Sequence, residues 1–294
     1  MQPIVECRNL THYYGKRCIY EDLNFQIPKG RILGLLGKNG TGKTTTINIL
    51  NGYLKPRSGE CLMFGENSNN LSPETKQKVG LLIEGHVQYS FMNIEEIEKF
   101  YSAFYPNWKR EAYYELMKLL KIAPEQKLSR MSCGQKSQVA LGLILAQDPE
   151  LLILDDFSMG LDPGYRMLFV DYLSEYARAE NKTVFVTSHI IQDMERLIDD
   201  CLIMDYGRIV LQKPVPELLD TFRRYRFQCD SPERLSEISQ VFHPATIKGN
   251  TEAYSMLDRN NLESILAQKH ITITKIREEK LSLEEAFIGL TGKY

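Results

Sequence analysis

The sequence contains no Cys-x-x-Cys pair, no excess of charge of either sign, and no apolar run long enough to cross a membrane. Its six cysteines, Cys7, Cys18, Cys61, Cys133, Cys201 and Cys229, are scattered along the chain. That scatter indicates neither a zinc site nor a disulfide framework, and it fits a reducing cytosol. A net charge of −2, from 36 Lys and Arg against 38 Asp and Glu, gives no electrostatic case for a nucleic-acid partner, which normally calls for a basic stripe. Arg223, Arg224 and Arg226 read instead as a solvated helix face. The longest apolar stretches, such as Val139 to Ala146, fall far short of the ~20 residues a membrane helix needs, and no N-terminal signal pattern is visible.

What is present is an ordinary globular composition: 294 residues, 43% hydrophobic and 25% charged. That is enough for one large α/β domain and a smaller appended one. Short β segments are predicted at Ile4–Cys7, Leu23–Ile27 and Arg31–Leu36, the last stopped abruptly by glycines. A helix follows Thr44. Residues 93–123 are rich in helix formers and carry aromatics at spacings of three and four, which predicts a helical insertion with Trp108 and its aromatic neighbours in the core. Apolar strands return at Leu151–Leu154, Thr183–Thr187 and Cys201–Met204 with helical stretches between them, the alternation of a parallel sheet. Beyond about Pro214 the texture changes. Residues 225–230, 245–248, 253–257 and 271–276 read as strands around helical pieces at 232–240 and 260–268, a small α+β domain.

The chemistry centres on Gly37-Lys38-Asn39-Gly40-Thr41-Gly42-Lys43-Thr44, which matches the phosphate-binding pattern G-x-x-x-x-G-K-[ST] and lies after a strand and before a helix. Glycines let successive backbone N–H groups point into one cradle, and the following helix presents its positive end to the same anion. Lys43 is suited to neutralise the β- and γ-phosphates of ATP, and the Thr44 hydroxyl to ligate Mg²⁺. Leu151-Leu152-Ile153-Leu154-Asp155-Asp156 is an apolar strand ending in two carboxylates, the Walker B arrangement. There Asp155 is expected to hold Mg²⁺ and Asp156 to polarise the attacking water. Paired aspartates at a strand end also serve simply as helix caps, but their conjunction with the phosphate loop favours the catalytic role.

Over nearly all of residues 1–215 the sequence resembles the ABC (ATP-binding cassette) ATPase family. Met131-Ser132-Cys133-Gly134-Gln135 is similar to the family's LSGGQ motif, Met159-Gly160-Leu161-Asp162 to its D-loop, and His189 to its switch histidine. Tyr14 occupies the position of the aromatic that stacks on adenine. The resemblance implies a P-loop cassette at 1–215, with a mostly parallel sheet core, an antiparallel β subdomain and a helical insertion at about 90–145, followed by a small α+β accessory domain at 216–294. It implies that Gly37, Asn39, Gly40, Thr41, Gly42, Lys43, Thr44 and Thr45 cradle the phosphates of one subunit. Ser132, Gly134, Gln135 and Asp162 would complete the site of a second, most simply identical, ATP-binding subunit packed head to tail.

Positions in three motifs depart from the family pattern. Glu84 stands where the Q-loop glutamine is expected, with Gln88 a second candidate four residues later, and Glu84 would contact metal and water as a carboxylate. Asp156 replaces the general-base glutamate, one methylene shorter, and Phe157 the proline after it; Cys133 replaces the first glycine of LSGGQ. The ending Leu281 to Phe287 resembles the S-L-E-x-x-F tail of exporter-type subunits, and Ser282 with Glu285 also predicts a helix capping box. The function implied is an ATP-hydrolysing subunit that powers transport, with export favoured, through a separate transmembrane permease, placed on the cytoplasmic face of the membrane. The partner's cytosolic helix would dock near residues 84–110. The alternative is a weakly hydrolysing regulatory subunit beside a more active cassette. A soluble ATPase acting on ribosomes or DNA is disfavoured by the single cassette.

The phosphate loop yields a direct expectation. Lys43→Ala removes the point charge inside the cradle, so equilibrium titration and steady-state hydrolysis should both show loss of tight ATP binding or of turnover. Unchanged affinity and rate in that variant would count against this site.

Overall fold

The computed structural model describes residues 3–83, 89–119, 121, 123–158 and 161–292. The chain divides into two compact units, Met1–Ile209 and Val210–Tyr294.

The first unit begins with a long antiparallel hairpin, β1 (Pro3–Tyr14) and β2 (Arg17–Pro28). Gly15, at φ +60°, supplies the left-handed residue of its two-residue turn. The register sets Tyr14 opposite Arg17 at the hairpin tip. β3 (Ile32–Gly37) is apolar and buried along Ile32–Leu36, and a loop carries it into α1 (Lys43–Leu50). β4 (Ser58–Met63) and β5 (Glu66–Asn67) complete a four-stranded antiparallel sheet in the order β2-β1-β4-β5. After α2 (Pro73–Gln77) and β6 (Val79–Leu82) come the helices α3 (Ile94–Ser102), α4 (Arg110–Leu119) and α5 (Cys133–Ala146).

The chain then alternates strand and helix: β7 (Leu151–Leu154), α6 (Pro163–Ala179), β8 (Thr183–Thr187), α7 (Ile191–Leu197), β9 (Asp200–Asp205) and β10 (Arg208–Pro214). The six-stranded sheet has the order β10-β9-β3-β8-β7-β6. The pairs β6–β7, β7–β8, β3–β8 and β3–β9 are parallel. Leu33, Ile153 and Phe185, fully buried in its interior strands, each contribute roughly 1.5–3 kcal/mol of hydrophobic stabilisation. Because these strands are parallel, the carboxyl ends of β3, β7 and β8 share one edge of the sheet, where open α/β folds place their ligands.

The expected helical insertion is divided at the Tyr105-Pro106 step into α3 and α4, since proline disfavours a helical residue before it. Asn93 and Glu96 form a capping box that starts α3. Its aromatics part company. Tyr113 is buried and donates its hydroxyl to the Ile94 carbonyl at 3.1 Å, and half-buried Trp108 donates Nε1–H to the buried Glu98 carboxylate at 2.9 Å. Phe104, against the core expectation, is 62% exposed. It belongs to a surface chain of edge-to-face rings with Phe100 and Tyr89, because helical spacing fixes which side chains share a face but not what covers that face.

The second unit runs α8 (Val215–Thr221), β11 (Arg223–Cys229), β12 (Phe242–Ile247), β13 (Asn250–Ser255), α9 (Arg259–Gln268), β14 (Ile273–Glu279) and α10 (Leu283–Thr291). Its sheet, in the order β12-β13-β11-β14, is antiparallel throughout. Tyr225, Phe227, Leu235, Leu262 and Leu266 meet in its core. Arg223, Arg224 and Arg226 lie on β11 rather than on a helix. They pair with Glu278, Glu279 and Glu252, and Arg224 also reaches Glu285, so cross-strand charge pairing accounts for a cluster that composition alone assigned to a helix face.

Ser282 and Glu285 form the expected capping box of α10. The Ser282 amide and the nearby Arg224 guanidinium hold the Glu285 carboxyl below the usual range. Ser282→Ala removes a cap worth about 1 kcal/mol, so amide hydrogen exchange across Leu283–Thr291 is expected to accelerate by roughly fivefold. Exchange at the wild-type rate would mean that tertiary packing alone holds this helix.

Candidate functional site

Glycine shapes the loop between β3 and α1. Gly40 and Gly42 adopt φ of +78° and +105°, and a Cβ at Gly42 would approach Ile19 to 2.9 Å and Tyr20 to 3.0 Å. A side chain at Gly42 therefore fails on backbone conformation and on space together. The Thr41 hydroxyl donates to the Lys38 carbonyl at 2.8 Å and closes the turn. The N-cap of α1 is Gly42 itself, with no side-chain cap. The first amides of the helix, which have no intrahelical acceptors, are thus left to an external anion, and the positive end of the helix dipole favours one.

Lys43 curls back over the loop and donates from Nζ to the carbonyls of Gly37 at 2.7 Å and Lys38 at 3.1 Å. Burial pushes its pKa down, opposed by the charges of Asp156 and Asp155. A partly desolvated ammonium held by carbonyls alone has more to gain from a polyanion than an exposed lysine does.

Facing this loop, β7 and β8 deliver the acidic side of the site. Asp155 is buried and accepts from the Thr187 hydroxyl at 2.7 Å. Asp156 turns the chain at φ +46°, and its own amide donates to the same Thr187 oxygen at 2.8 Å. The Asp156 carboxylate contacts His189 Nδ1 through both oxygens, at 2.7 and 3.0 Å. Beside this pair the buried hydroxyls of Ser158 and Ser188 meet at 2.7 Å. The proline of the family pattern is replaced by Phe157, which is buried and stacks on Phe169 of α6 at 4.9 Å between centroids.

These pieces enclose one cavity of about 290 Å³, lined by Tyr14, Arg17, Ile19, Asn39, Gly40, Gly42, Lys43, Thr44, Thr45, Asp155, Asp156, Thr187 and His189. Most of the residues singled out from the sequence are thereby brought together. Gly37 and Thr41 act one layer behind, as acceptor for Lys43 and as the loop's internal tie. Tyr14 is half exposed at the mouth, with the buried His12 ring edge-on at 4.9 Å. Thr44 and Asp155 bring a hydroxyl and a carboxylate to the same space, the hard oxygen donors that suit Mg²⁺. No group of three or more His, Cys, Asp or Glu forms a metal site among the described residues.

Ser132, Gly134, Gln135 and Asp162 do not line this cavity. Ser132 caps α5 in a reciprocal box with Gln135. Gly134 lets Tyr165 approach so closely that a Cβ would lie 2.7 Å from its ring. Asp162 caps α6 by accepting from the amides of Gly164 and Tyr165. Glu84 and Gln88, with Met159 and Gly160 of the D-loop segment, lie outside the described residues.

Three lining residues, Arg17, Ile19 and Thr187, escaped the sequence reading. Arg17, whose Nη2 lies 3.4 Å from where a Gly40 Cβ would be, enters because the hairpin turn sets it opposite Tyr14; the two-residue spacing through Gly15 was the available signal. Thr187 enters as the last residue of β8, where only the sheet order reveals its neighbours.

Comparison with known proteins agrees with this geometry. The family profile described as ABC transporter matches residues 20–158. The bacitracin transport ATP-binding protein of Bacillus licheniformis is 30% identical over 301 residues, covering 99% of this chain and 98% of its own length. The Nod factor export ATP-binding protein I of Cupriavidus metallidurans is 27% identical over 307 residues, with 100% and 99% covered. Among solved structures, an ATP-binding subunit of an ABC transporter matches with a TM-score of 0.64 at 23% identity, covering 74% of this chain and 92% of that one. The phosphate loop, the acidic strand end facing it and the full-length relatives agree: the chain belongs to the ABC transporter family and is an ATP-binding, ATP-hydrolysing subunit of such a transporter.

Proposed function

We propose that this subunit powers export through a separate transmembrane permease, using a nucleotide site in which each lining residue has a defined task. The observation that carries this reading is the single cavity that joins Lys43 and the loop amides to Asp155, Asp156 and His189. Tyr14 stacks on adenine, and the amides of Gly40 through Thr45 with Lys43 receive the phosphates. Arg17 adds a second cation over the loop. Thr44, Asp155 and Glu84 would hold Mg²⁺, which when bound would neutralise charge on the phosphates. Asp156 is the base for the attacking water, and His189 orients that carboxylate and meets the γ-phosphate.

Two such cassettes, most simply identical, pack head to tail. Ser132, Gly134, Gln135 and Asp162 then serve the partner's nucleotide, which agrees with their lying outside this chain's own cavity and with the exposed position of Ser132 and Cys133 at the start of α5. The cassette corresponds to residues 1–215 and the accessory domain to 216–294. Among the described residues no helix is long and apolar enough to cross a membrane. Attachment to the cytoplasmic face then comes through the permease, one of whose cytosolic helices fits a groove of about 700 Å³ lined by Tyr53, Leu81, Ile83, Tyr101, Tyr105 and Ile144. Export, rather than uptake, is supported by the Nod factor export relative and the Leu281–Phe287 ending. The regulatory reading is not favoured, since the similar full-length proteins are themselves transport ATP-binding proteins.

Aspartate at position 156 sets the base one methylene back from the water, and a misplacement of about 1 Å costs on the order of 10²-fold in rate, so turnover is slow. In single-turnover hydrolysis at saturating Mg-ATP, with the permease present, Asp156→Glu is expected to exceed wild type, and Asp156→Asn to bind ATP without hydrolysing it. An Asp156→Asn variant as fast as wild type would remove Asp156 from the role of base.

The shared site has its own test. Lys43→Ala and Ser132→Arg subunits are each expected to be inactive alone, yet mixing them restores one intact site in the mixed dimer. Absence of any recovered ATPase activity across mixing ratios, with dimers verified, would refute the head-to-tail arrangement.

A further inference from the structure

The two aspartates at the end of β7 are adjacent in sequence, yet they have to aim at different things, and little in their own backbone keeps them apart. Asp156 sits in the left-handed region at φ +46°, which aspartate tolerates better than most side chains but which still benefits from a holding contact. That contact comes from the neighbouring strand. Thr187, 1% exposed at the end of β8, uses one hydroxyl twice: its proton goes to Asp155 Oδ1 at 2.7 Å, and its oxygen receives the Asp156 amide at 2.8 Å. A hydroxyl has only one proton to donate, so giving it to Asp155 and taking the next residue's N–H fixes both partners at once. One residue further on, Ser188 meets Ser158 at 2.7 Å and accepts the Ile190 amide at 3.0 Å, and His189 closes on the Asp156 carboxylate. The segment after β7 is therefore tied to three successive residues at the end of β8 and just beyond it, Thr187, Ser188 and His189.

We infer that Thr187 is a positioning residue for ATP hydrolysis: its single hydroxyl holds the Asp155 carboxylate toward the Thr44 side of the cavity and locks the Asp156 turn that presents the second carboxylate to His189. The inference rests on the nucleotide-site reading given above. It separates two tasks. Phosphate binding on the glycine loop is independent of Thr187, whereas cation binding and the rate of the chemical step depend on it.

The test compares Thr187→Ser, which keeps the hydroxyl, with Thr187→Val and Thr187→Ala, which lack it in a larger and a smaller side chain, all in the full chain with circular dichroism to verify folding. Three quantities are read: ATP affinity in EDTA, the Mn²⁺ affinity of the ATP-bound protein by electron paramagnetic resonance, and the single-turnover rate. The variants without the hydroxyl are expected to bind metal-free ATP within about twofold of wild type and to lose on the order of tenfold in Mn²⁺ affinity, since a ligand carboxylate freed from its outer partner binds metal about 10–100-fold less well. Their turnover should fall by roughly 10²-fold, the cost of about 1 Å of misplacement, and Thr187→Ser should recover both properties. Wild-type Mn²⁺ affinity and rate in a folded Thr187→Val or Thr187→Ala protein would overturn the inference, as would a serine variant as impaired as the other two. Failure of wild type itself to bind ATP in EDTA or with Mn²⁺ would refute the underlying site reading, a result distinct from either.

Discussion

The proposed chemistry depends on the backbone amides at the start of α1, which have no intrahelical acceptor. Strand β3 stops at Gly37, the chain turns through left-handed glycines, and α1 begins on a residue that offers no side-chain cap. A helix start of this kind is open to water and favours an anion that displaces it. Lys43 donates to the carbonyls of Gly37 and Lys38, so in the proposed site the cation is held on the same loop whose amides would receive the phosphates.

The sheet supplies the opposing side. Because β3, β7 and β8 are parallel, the phosphate loop, the aspartate pair and the histidine leave the same edge, and their meeting follows from topology rather than from loop flexibility. The acidic side is held by a different kind of contact. Hydroxyls of Thr187, Ser158 and Ser188, all buried, tie the two loops together where charge alone would push Asp155 and Asp156 apart. In the proposed site binding would draw on backbone dipoles and catalysis on side-chain hydrogen bonds, so the two could be perturbed separately.

How much of this was legible in the sequence divides along the same line. The phosphate loop was fully legible, because its glycines, lysine and threonine lie within eight consecutive residues and local spacing fixes their geometry. So were the apolar strands β7 and β8, the tail strands near their observed positions, and the capping box of α10. The helical insertion was recognised, but its division at Pro106 and the exposure of Phe104 were not, since a periodic face carries no record of what covers it. Thr187 was invisible because its partner Asp156 is 31 residues away in sequence, whereas Arg17 was missed although the two-residue hairpin turn sets it opposite Tyr14. The arginines of β11 misled for a related reason: their acidic partners stand on other strands and on α10, outside any local window.

The central claim, that the glycine loop is the seat of the ATP phosphates, is tested most directly by a crystal structure of the chain with a non-hydrolysable ATP analogue. The account predicts phosphate oxygens on the amides of Gly40 through Thr45, with Lys43 Nζ swung off the carbonyls of Gly37 and Lys38 and onto the nucleotide. An analogue bound elsewhere, or phosphates in this cavity with Lys43 still on those two carbonyls, would contradict it.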